Sequence, residues 1–551
     1  MMRRCAPLVL LLLLAAAGQD RKPNILLMIT DDQGYGDLGC HGNPQIRTPH
    51  LDAFAKESVR LAQFHVCPVC SPTRSSLLTG RYNYRTGVVD TFIGRSMMHV
   101  DEVTLAEMLG GAGYRTGIFG KWHLGDNYPL RAQDQGFQET LTIRGGGLGQ
   151  PSDPPGGDHY SDATMVRNGK PVKTKGYCSD VYTDAAIDFI TANKDKPFFA
   201  YVPFNAPHTP LEVPDAYLKP YKDAGLPDVT ARVYAMVTNI DDNVGRLLKK
   251  LEELKIDDDT LVIFMTDNGP QQERYNGGMR GLKGTVFEGG IRVPFFVRWW
   301  GLRQPPRAVK ELAAHIDVFP SLLDACGVAP PKGVKIDGRS FVPLLKEPTA
   351  PWPERELFFQ WHRGDVPEKG RACAARDSRW KAVWKTPKDK AMLFDLQADP
   401  AEKNDVALEH GDVVDRLTRN YELWFEDMRK TREFAPPRIV LDPAQEDPVL
   451  LTRQDWRGPK AGAGKEANGF WMVDIRKETK YDVTLYFKSP GAAVKVAYTV
   501  NGRPTPVSAD ADAKTVTLKG VVHGAGPGQL SATIAAEKPY GVDYIELKRA
   551  E

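Results

Sequence analysis

Four short apolar runs, each ending in polar residues able to do chemistry, constrain this chain more than any other feature. Asn24-Ile25-Leu26-Leu27-Met28-Ile29-Thr30 stops at Asp31-Asp32, and Tyr114 to Phe119 leads into Gly120-Lys121-Trp122-His123. Phe198 to Val202 runs into Asn205-Ala206-Pro207-His208, and Leu261 to Met265 into Thr266-Asp267-Asn268-Gly269. Continuous apolar runs of this length read as strands buried on both faces. Between them lie helical patterns. The clearest spans Val233 to Leu254, where Val233, Met236, Val237, Ile240, Val244, Leu247, Leu248 and Leu251 recur with a 3.6-residue period. Strands alternating with helices predict an α/β fold, a mostly parallel sheet with helices on both faces. Ligands of such sheets sit beyond the carboxyl ends of the strands. The four polar endings therefore predict one shared site.

A chain of 551 residues is too long for one ordinary core, and two or three domains are expected. The main α/β unit is placed at 22–349. A small α+β unit follows at 350–436, with strand-like Leu357-Phe358-Phe359, Trp380 to Trp384 and Met392-Leu393-Phe394, then a helical stretch from Val413 to Met428. After Pro436-Pro437 the pattern changes to the two-residue strand period, at Tyr481 to Phe487, Val494 to Val500 and Thr515 to Leu518. With Asn501-Gly502 as a tight hairpin turn, this predicts an antiparallel β-sandwich over 442–551. At the other end, Arg3-Arg4, the apolar run Leu8 to Leu14 and Ala15-Ala16-Ala17 read as a secretory signal peptide over 1–17. That run is too short to span a bilayer as a helix. The expectation is an exported product, periplasmic or extracellular, without an integral membrane segment after cleavage. Lys and Arg (72) nearly balance Asp and Glu (70), so no basic excess points to nucleic acid.

Asp31, Asp32, Asp267 and Asn268 offer only hard oxygen donors, which suit calcium or magnesium better than zinc. Lys121, His123, His208 and Lys283, the last in Arg280-Gly281-Leu282-Lys283-Gly284, add positive or proton-donating groups. A divalent ion ringed by lysines and histidines suits a tetrahedral oxyanion ester. Cys70 opens Cys70-Ser71-Pro72-Thr73-Arg74-Ser75-Ser76-Leu77-Leu78-Thr79-Gly80, which reads as a short helix with proline early and glycine after its end. That places Cys70 at a helix N-terminus, where an anion is favoured, with Arg74 one turn on and able to reach back. Cys67-Pro68-Val69-Cys70 lacks both the thioredoxin-like context of a redox motif and the second ligand pair of a zinc site. Arg144-Gly145-Gly146-Gly147-Leu148-Gly149 is glycine-rich but precedes no clear helix, so it is not a phosphate cradle.

Pro68-Val69-Cys70-Ser71-Pro72-Thr73-Arg74 with Leu77 and Thr79-Gly80 resembles the first signature of the type I sulfatases, formylglycine-dependent and arylsulfatase-like members of the alkaline phosphatase superfamily. Gly113-Tyr114-Arg115-Thr116-Gly117-Ile118-Phe119-Gly120-Lys121-Trp122-His123 resembles the second. The likeness runs from about Asn24 to Ala407. It implies a sulfuric ester hydrolase in which Cys70 is oxidised to formylglycine by a formylglycine-generating enzyme that reads Cys-x-Pro-x-Arg. It also implies a mechanism: one hydroxyl of the hydrated aldehyde attacks sulfur, and the second expels sulfate. By the same resemblance, Asp31, Asp32, Asp267 and Asn268, with the side chain at position 70, match the ligands of one calcium ion. Arg74 and His123 match the groups that hold and deprotonate the diol. Lys121, His208 and Lys283 match the sulfate contacts, with His208 or Lys283 placed to protonate the leaving oxygen. Glu288 to Pro294 resembles a structural turn with an ion pair. Residues 442–551 depart from the family pattern. A sulfated carbohydrate is the favoured substrate, with specificity expected from Arg95 to His99, Arg144 to Asp158 and Trp361 to Asp365. The alternatives are an aryl sulfate hydrolase of broad specificity and a phosphoesterase or phosphonate hydrolase of the same superfamily.

Overall fold

The computed structural model describes residues 22–150, 153, 159–302 and 305–551; the segment read as a signal peptide, 1–17, lies outside them. Ten strands form the main sheet: β1 (Asn24–Thr30), β2 (Val59–His65), β3 (Arg115–Lys121), β4 (Glu139–Ile143), β5 (Thr164–Arg167), β6 (Lys170–Lys173), β7 (Phe198–Pro203), β8 (Thr260–Thr266), β9 (Phe295–Arg298) and β10 (Arg307–Ala314). Their order is β10-β2-β9-β8-β1-β7-β3-β4-β5-β6. β1 pairs in parallel with β7 and β8, β3 with β7 and β4, and β10 with β2, whereas β9 is antiparallel to both neighbours and β5 to both of its own.

The continuous apolar runs follow from this position. Ile25, Leu27 and Ile29 of β1 point into one core, beneath helices Cys70–Thr79, Leu105–Gly111 and Val318–Ala325. Leu26 and Met28 point into the other, beneath Pro49–Glu57, Cys178–Asn193 and Asp228–Glu253. All five are 0% exposed, and burying each contributes about 1.5–3 kcal/mol. The long helix starts at Asp228, five residues before its apolar stripe. Its N-terminal turn carries Asp228 behind Pro227, and Ala231 is the residue of that turn that packs into a core. The second expected run is also longer at one end: β3 continues through Gly120 to Lys121, which puts Lys121 on the sheet rather than in a loop.

Downstream, β11 (Leu357–Gln360), β12 (Cys373–Arg376), β13 (Trp380–Trp384) and β14 (Met392–Asp395) form an antiparallel sheet in chain order. Helix Gly411–Arg432 covers it with Leu417, Tyr421, Trp424, Phe425 and Met428. Buried charges tie this layer to the main sheet. Lys381 Nζ lies 3.0 Å from Glu288 and 2.9 Å from Glu402, Arg376 Nη1 lies 3.3 Å from Glu288, and His65 Nε2 lies 3.1 Å from Glu288. Lys381, Glu402 and His65 are fully buried, and Glu288 and Arg376 almost so.

The C-terminal segment folds as two facing sheets. One runs β15 (Ile439–Leu441), β17 (Phe470–Ile475), β22 (Gly526–Ile534), β19 (Val494–Val500), β20 (Arg503–Ala509), with β23 (Tyr540–Gly541) beside β22. The other runs β16 (Val449–Thr452), β24 (Tyr544–Arg549), β18 (Thr479–Tyr486), β21 (Thr515–His523). Their inward residues, among them Trp456, Trp471, Tyr498 and Ile545, share one core. Pairing is antiparallel except between β15 and β17. The β19–β20 hairpin turns at Asn501 and Gly502 with φ of 48° and 80°. Both central residues are left-handed, as the Asn-Gly pair predicts.

Removing one partner of a buried ion network leaves charge uncompensated and costs about 3–5 kcal/mol. Lys381→Met, which keeps the apolar stem but leaves Glu288 and Glu402 facing each other, is expected to lower stability by about that amount. A urea unfolding midpoint equal to wild type would show that the network does not hold the two layers together.

Candidate active site

β1 and β8 are hydrogen-bonded neighbours with Thr30 opposite Thr266, so Asp31-Asp32 and Asp267-Asn268 leave the sheet side by side. All four are buried. The Asp32 amide donates to Asp267 Oδ1 (3.3 Å), and Asn268 Nδ2 donates to Asp32 Oδ1 (2.8 Å). Asp31 Oδ1 and Asn268 Oδ1 are buried without a hydrogen-bond partner. Asp32 adopts the left-handed region, φ 64°, as does His123, φ 61°. Such backbone strain costs about 1–3 kcal/mol per residue and persists only where the surroundings over-determine it.

Three cations converge on the carboxylates. Arg74 donates to Asp267 Oδ2 from Nη2 (2.8 Å) and Nε (3.2 Å), and to the Lys121 carbonyl from Nη1 (2.9 Å). Lys121 is salt-bridged to Asp31. Lys283 Nζ lies 2.6 Å from Asp32 Oδ1 and 2.8 Å from Oδ2. His208 Nε2 is 3.7 Å from Asp32 Oδ2, while Nδ1 donates to the Thr209 carbonyl (2.7 Å). The environment separates the two central carboxyls. Burial alone would raise Asp31, but Lys121, His208, Arg74 and Lys283 together hold it well below the ordinary carboxylate range. Burial and the neighbouring Asp31 push Asp267 up despite Arg74. Burial opposes the charge on Lys283, but Asp32 outweighs it and raises that ammonium.

Cys70 is the first residue of helix Cys70–Thr79, preceded by extended Val69 and closed by Gly80 at φ 69°. A β-carbon on Gly80 would stand 2.9 Å from the Phe319 ring, so both conformation and space demand glycine there. Cys70 Sγ lies 3.6 Å from His123 Nδ1, and His123 Nε2 lies 2.8 Å from the Thr91 carbonyl. A carbonyl can only accept, so Nε2 carries the proton and Nδ1 turns its lone pair to position 70. Burial, assisted by Lys121, holds the His123 pKa well below its usual value. Burial raises the Cys70 thiol. Burial and Lys283 lower His208. His123 is thus a neutral acceptor aimed at residue 70, as a general base must be.

Each residue singled out in the sequence falls in this one site: Asp31, Asp32, Cys70, Arg74, Lys121, His123, His208, Asp267, Asn268 and Lys283. Arg74 differs in its partner. Its hydrogen bonds run to Asp267 and the Lys121 carbonyl, since a carboxylate draws a buried guanidinium more strongly than a thiol does. A cavity of about 690 Å³ opens above Cys70, His123, His208 and Lys283. Gly146 and Gln150 line it from the glycine-rich segment, and Trp361 and Arg363 from the third expected loop; residues 151–152 and 154–158 of that segment lie outside the described residues. The stretch Arg95 to His99 does not line it. Arg95 is fully buried and bonds the Phe434 carbonyl, and His99 bonds the Ala435 carbonyl, so Thr91, Phe92 and Ile93 line the cavity instead.

Several site residues carry no sequence signal. Asp90 holds the mouth together, accepting from Arg363, the Trp361 indole and the Gly364 amide. A β-carbon at Gly146 would lie 3.0 Å from the His123 ring, and one at Gly147 3.5 Å from His208. The glycine-rich segment therefore packs its backbone on both histidines. Gln454, from the C-terminal sandwich, reaches His123 as well. Cys67 faces His315 (3.2 Å) and Asn83, and the described cysteines are all free.

The family model described as Sulfatase matches residues 23–328, and that described as N-sulphoglucosamine sulphohydrolase, C-terminal, matches 282–425. The chain is 35% identical to N-acetylgalactosamine-6-sulfatase of Sus scrofa over 65% of its own length and 72% of the relative's. It is 33% identical to arylsulfatase A of Homo sapiens over 72% and 81%. Among solved structures it is similar to Ps i-CgsB in complex with k-i-k-neocarrahexaose, with a TM-score of 0.68, 28% identity, and coverage of 76% of this chain and 94% of that one.

The oxygen donors fit a hard divalent cation: ligating atoms of Asp31 and Asp267 lie within 4.8 Å of each other, with position 70 beside them, and two buried oxygens there lack partners. A ligand bound only by the folded state at about 100 times its Kd stabilises by about 2.7 kcal/mol. Calcium added to the chelator-treated full-length protein is therefore expected to raise its thermal unfolding midpoint. The double variant Asp31→Asn, Asp267→Asn should not respond. An unmoved midpoint in the wild type would reject this donor set.

Proposed function

The chain belongs to the sulfatase family and is a sulfuric ester hydrolase, and from that premise we propose that it removes sulfate from a carbohydrate ester, using formylglycine made from Cys70 and one calcium ion held by Asp31, Asp32, Asp267, Asn268 and the side chain at position 70. One observation carries the reading: position 70 lies at a helix N-terminus, between a neutral histidine nitrogen at 3.6 Å and the buried carboxylates of β1 and β8. Hydrated formylglycine supplies the attacking oxygen, and calcium the positive charge that this oxygen and the sulfate require.

The protein's own groups do the rest. His123 Nδ1 takes the proton from the side chain at position 70, while Nε2–H stays anchored on the Thr91 carbonyl. Arg74 fixes Asp267 and ties it to the end of β3 through the Lys121 carbonyl. Lys121 and Lys283 stand beside Asp31 and Asp32 as counter-charges for an incoming sulfate, with the His208 ring next to them. His208 and Lys283 lie on the cavity wall and are the two groups able to protonate the departing ester oxygen. His208 can donate from Nε2 only as the imidazolium, because its Nδ1–H is committed to the Thr209 carbonyl.

A carbohydrate substrate is supported by the open cavity and its lining of Trp361, Arg363, Gln150 and Gln271, which offers an aromatic face and amides to a hydroxylated ring. The sugar named in the N-acetylgalactosamine-6-sulfatases and the oligosaccharide bound to Ps i-CgsB support it too. Maturation then requires a formylglycine-generating enzyme, and residues 1–17 direct export to the periplasm or beyond. Among the described residues no helix is long and apolar enough to cross a membrane. The units 22–349, 350–436 and 442–551 are taken as main domain, smaller subdomain and sandwich.

Mass spectrometry of the peptide containing residue 70 is expected to show formylglycine, and Cys70→Ala to abolish turnover with folding nearly intact. Matched sulfate and phosphate esters test the reaction class: sulfate release supports the reading, and faster phosphate release would replace it with the phosphoesterase alternative. His208→Ala separates acid from binding contact. General acid catalysis contributes about 10²–10⁴-fold, so a loss larger by that order for sugar sulfates than for an activated aryl sulfate is expected. Equal losses would move the acid role to Lys283.

A further inference from the structure

We propose that the C-terminal sandwich is part of the active site, with Gln454 as the positioning residue that holds His123 in its base-competent orientation; the proposal rests on the sulfatase reading for its kinetic consequence. Gln454 Nε2 lies 2.8 Å from the Thr91 carbonyl, 2.9 Å from Ser96 Oγ and 3.3 Å from His123 Nε2. Thr91 is the residue whose carbonyl receives the His123 Nε2 proton. The Gln454 amide spends its two N–H groups on Thr91 and Ser96, so it fixes the carbonyl that anchors the His123 proton and only packs against the ring itself, from a position 331 residues away in sequence.

The brace is rigid. Gln454 sits in the short 3-10 turn Arg453–Asp455, with its amide 3.3 Å from Thr452 Oγ1, and is 3% exposed. The next residue, Trp456, is fully buried against Trp471 in the sandwich core. The Gln454 carbonyl accepts from the Gly94 amide (2.9 Å), so the loop carrying Thr91 is gripped from two sides. Gly94 lies at φ 63°, and a β-carbon there would stand 2.6 Å from Arg457 Cδ and 2.9 Å from the Asp455 carbonyl. Only glycine permits this approach. Farther along, Ala461, Gly462 and Ala463 continue the same segment along the cavity. Arg457 pairs with Asp365, beside the Trp361–Arg363 loop. Asn127 Nδ2 donates to the Leu450 carbonyl (3.0 Å), and the Tyr128 amide to Glu446 (2.8 Å). The sandwich is thereby seated on the segment that follows His123.

A side chain that holds a catalytic group affects turnover more than substrate affinity, since small misplacements of reacting groups cost up to about 10²-fold in rate. Gln454→Met keeps length and volume and removes the amide. In the full-length, formylglycine-containing enzyme it is expected to lower kcat by about 10–100-fold, with KM within about 3-fold, at an unchanged formylglycine content. Gly94→Ala, which touches neither His123 nor substrate, is expected to lower kcat in the same sense by prising the loop from the sandwich. Crystal structures of wild type and Gln454→Met read the His123 ring directly, and the ring is expected to leave the Thr91 carbonyl in the variant. An unmoved ring, or wild-type kcat in folded Gln454→Met, overturns the proposal. A displaced ring in a protein whose wild type releases no sulfate upholds the positioning role and rejects the sulfatase reading alone.

Discussion

Two parallel strands ending in register force Asp31 and Asp267 together where water cannot reach them, and most of the site is an answer to that crowding. Ionised carboxylates taken out of water cost several kcal/mol each unless opposite charge meets them. Each answer comes from a different element: Arg74 from the helix after β2, Lys121 from the last residue of β3, Lys283 from the loop after β8. All three cations are spent on these carboxylates, Arg74 on both Asp267 and Asp31, and still two buried oxygens lack a partner. A site with such residual demand for positive charge suits a divalent cation. Strained Asp32 and His123 show how tightly the surroundings dictate position here.

Much of this was legible before any coordinates. β1 and β8 announce themselves because both faces are buried, which turns their sequences into unbroken apolar runs, and their polar endings mark the mouth of the sheet. The helix that starts at Cys70 is written in Pro72 and Gly80, and the hairpin at Asn501-Gly502 in the need for two left-handed residues. What stayed hidden was hidden for physical reasons. β2 carries exposed Arg60 and half-buried Gln63, and β9 is only four residues long, so neither gives a clean period. Arg74 was expected to reach back to Cys70 because local spacing is visible in sequence, whereas its partner Asp267 is 193 residues away. Arg95 looked like a loop residue and is instead sunk against the Phe434 carbonyl. Gln454 has no local pattern at all.

The smaller layers do different work on the same sheet. The β11–β14 layer is fastened by the Glu288–Lys381–Glu402 charges, and Glu288 follows closely on the loop that carries Lys283. The same layer supplies Trp361 and Arg363, held by Asp90. The sandwich approaches from the other side, over the segments Thr91–Arg95 and Asn127–Tyr128. The cavity is thus a space between three units, with Cys70, His123, His208 and Lys283 lining it from the main sheet, Trp361 and Arg363 from the smaller layer and Gln454 from the sandwich.

All ten residues of the Cys70 helix are buried, and under the proposed conversion of Cys70 to formylglycine this sets a clock on maturation. The enzyme proposed to oxidise Cys70 would have to grasp Cys70, Pro72 and Arg74 while that segment is still uncovered. Asp267, which pins Arg74, is synthesised about 200 residues after Cys70, roughly 10–40 s later at 5–20 residues per second. Gln454 follows roughly 20–80 s after Cys70 on the same scale. Every chain passes through an interval in which the cysteine is present and its cover has not yet been made. Order along the chain thereby becomes order in time: the residue proposed for processing comes early, and the parts that seal it come late.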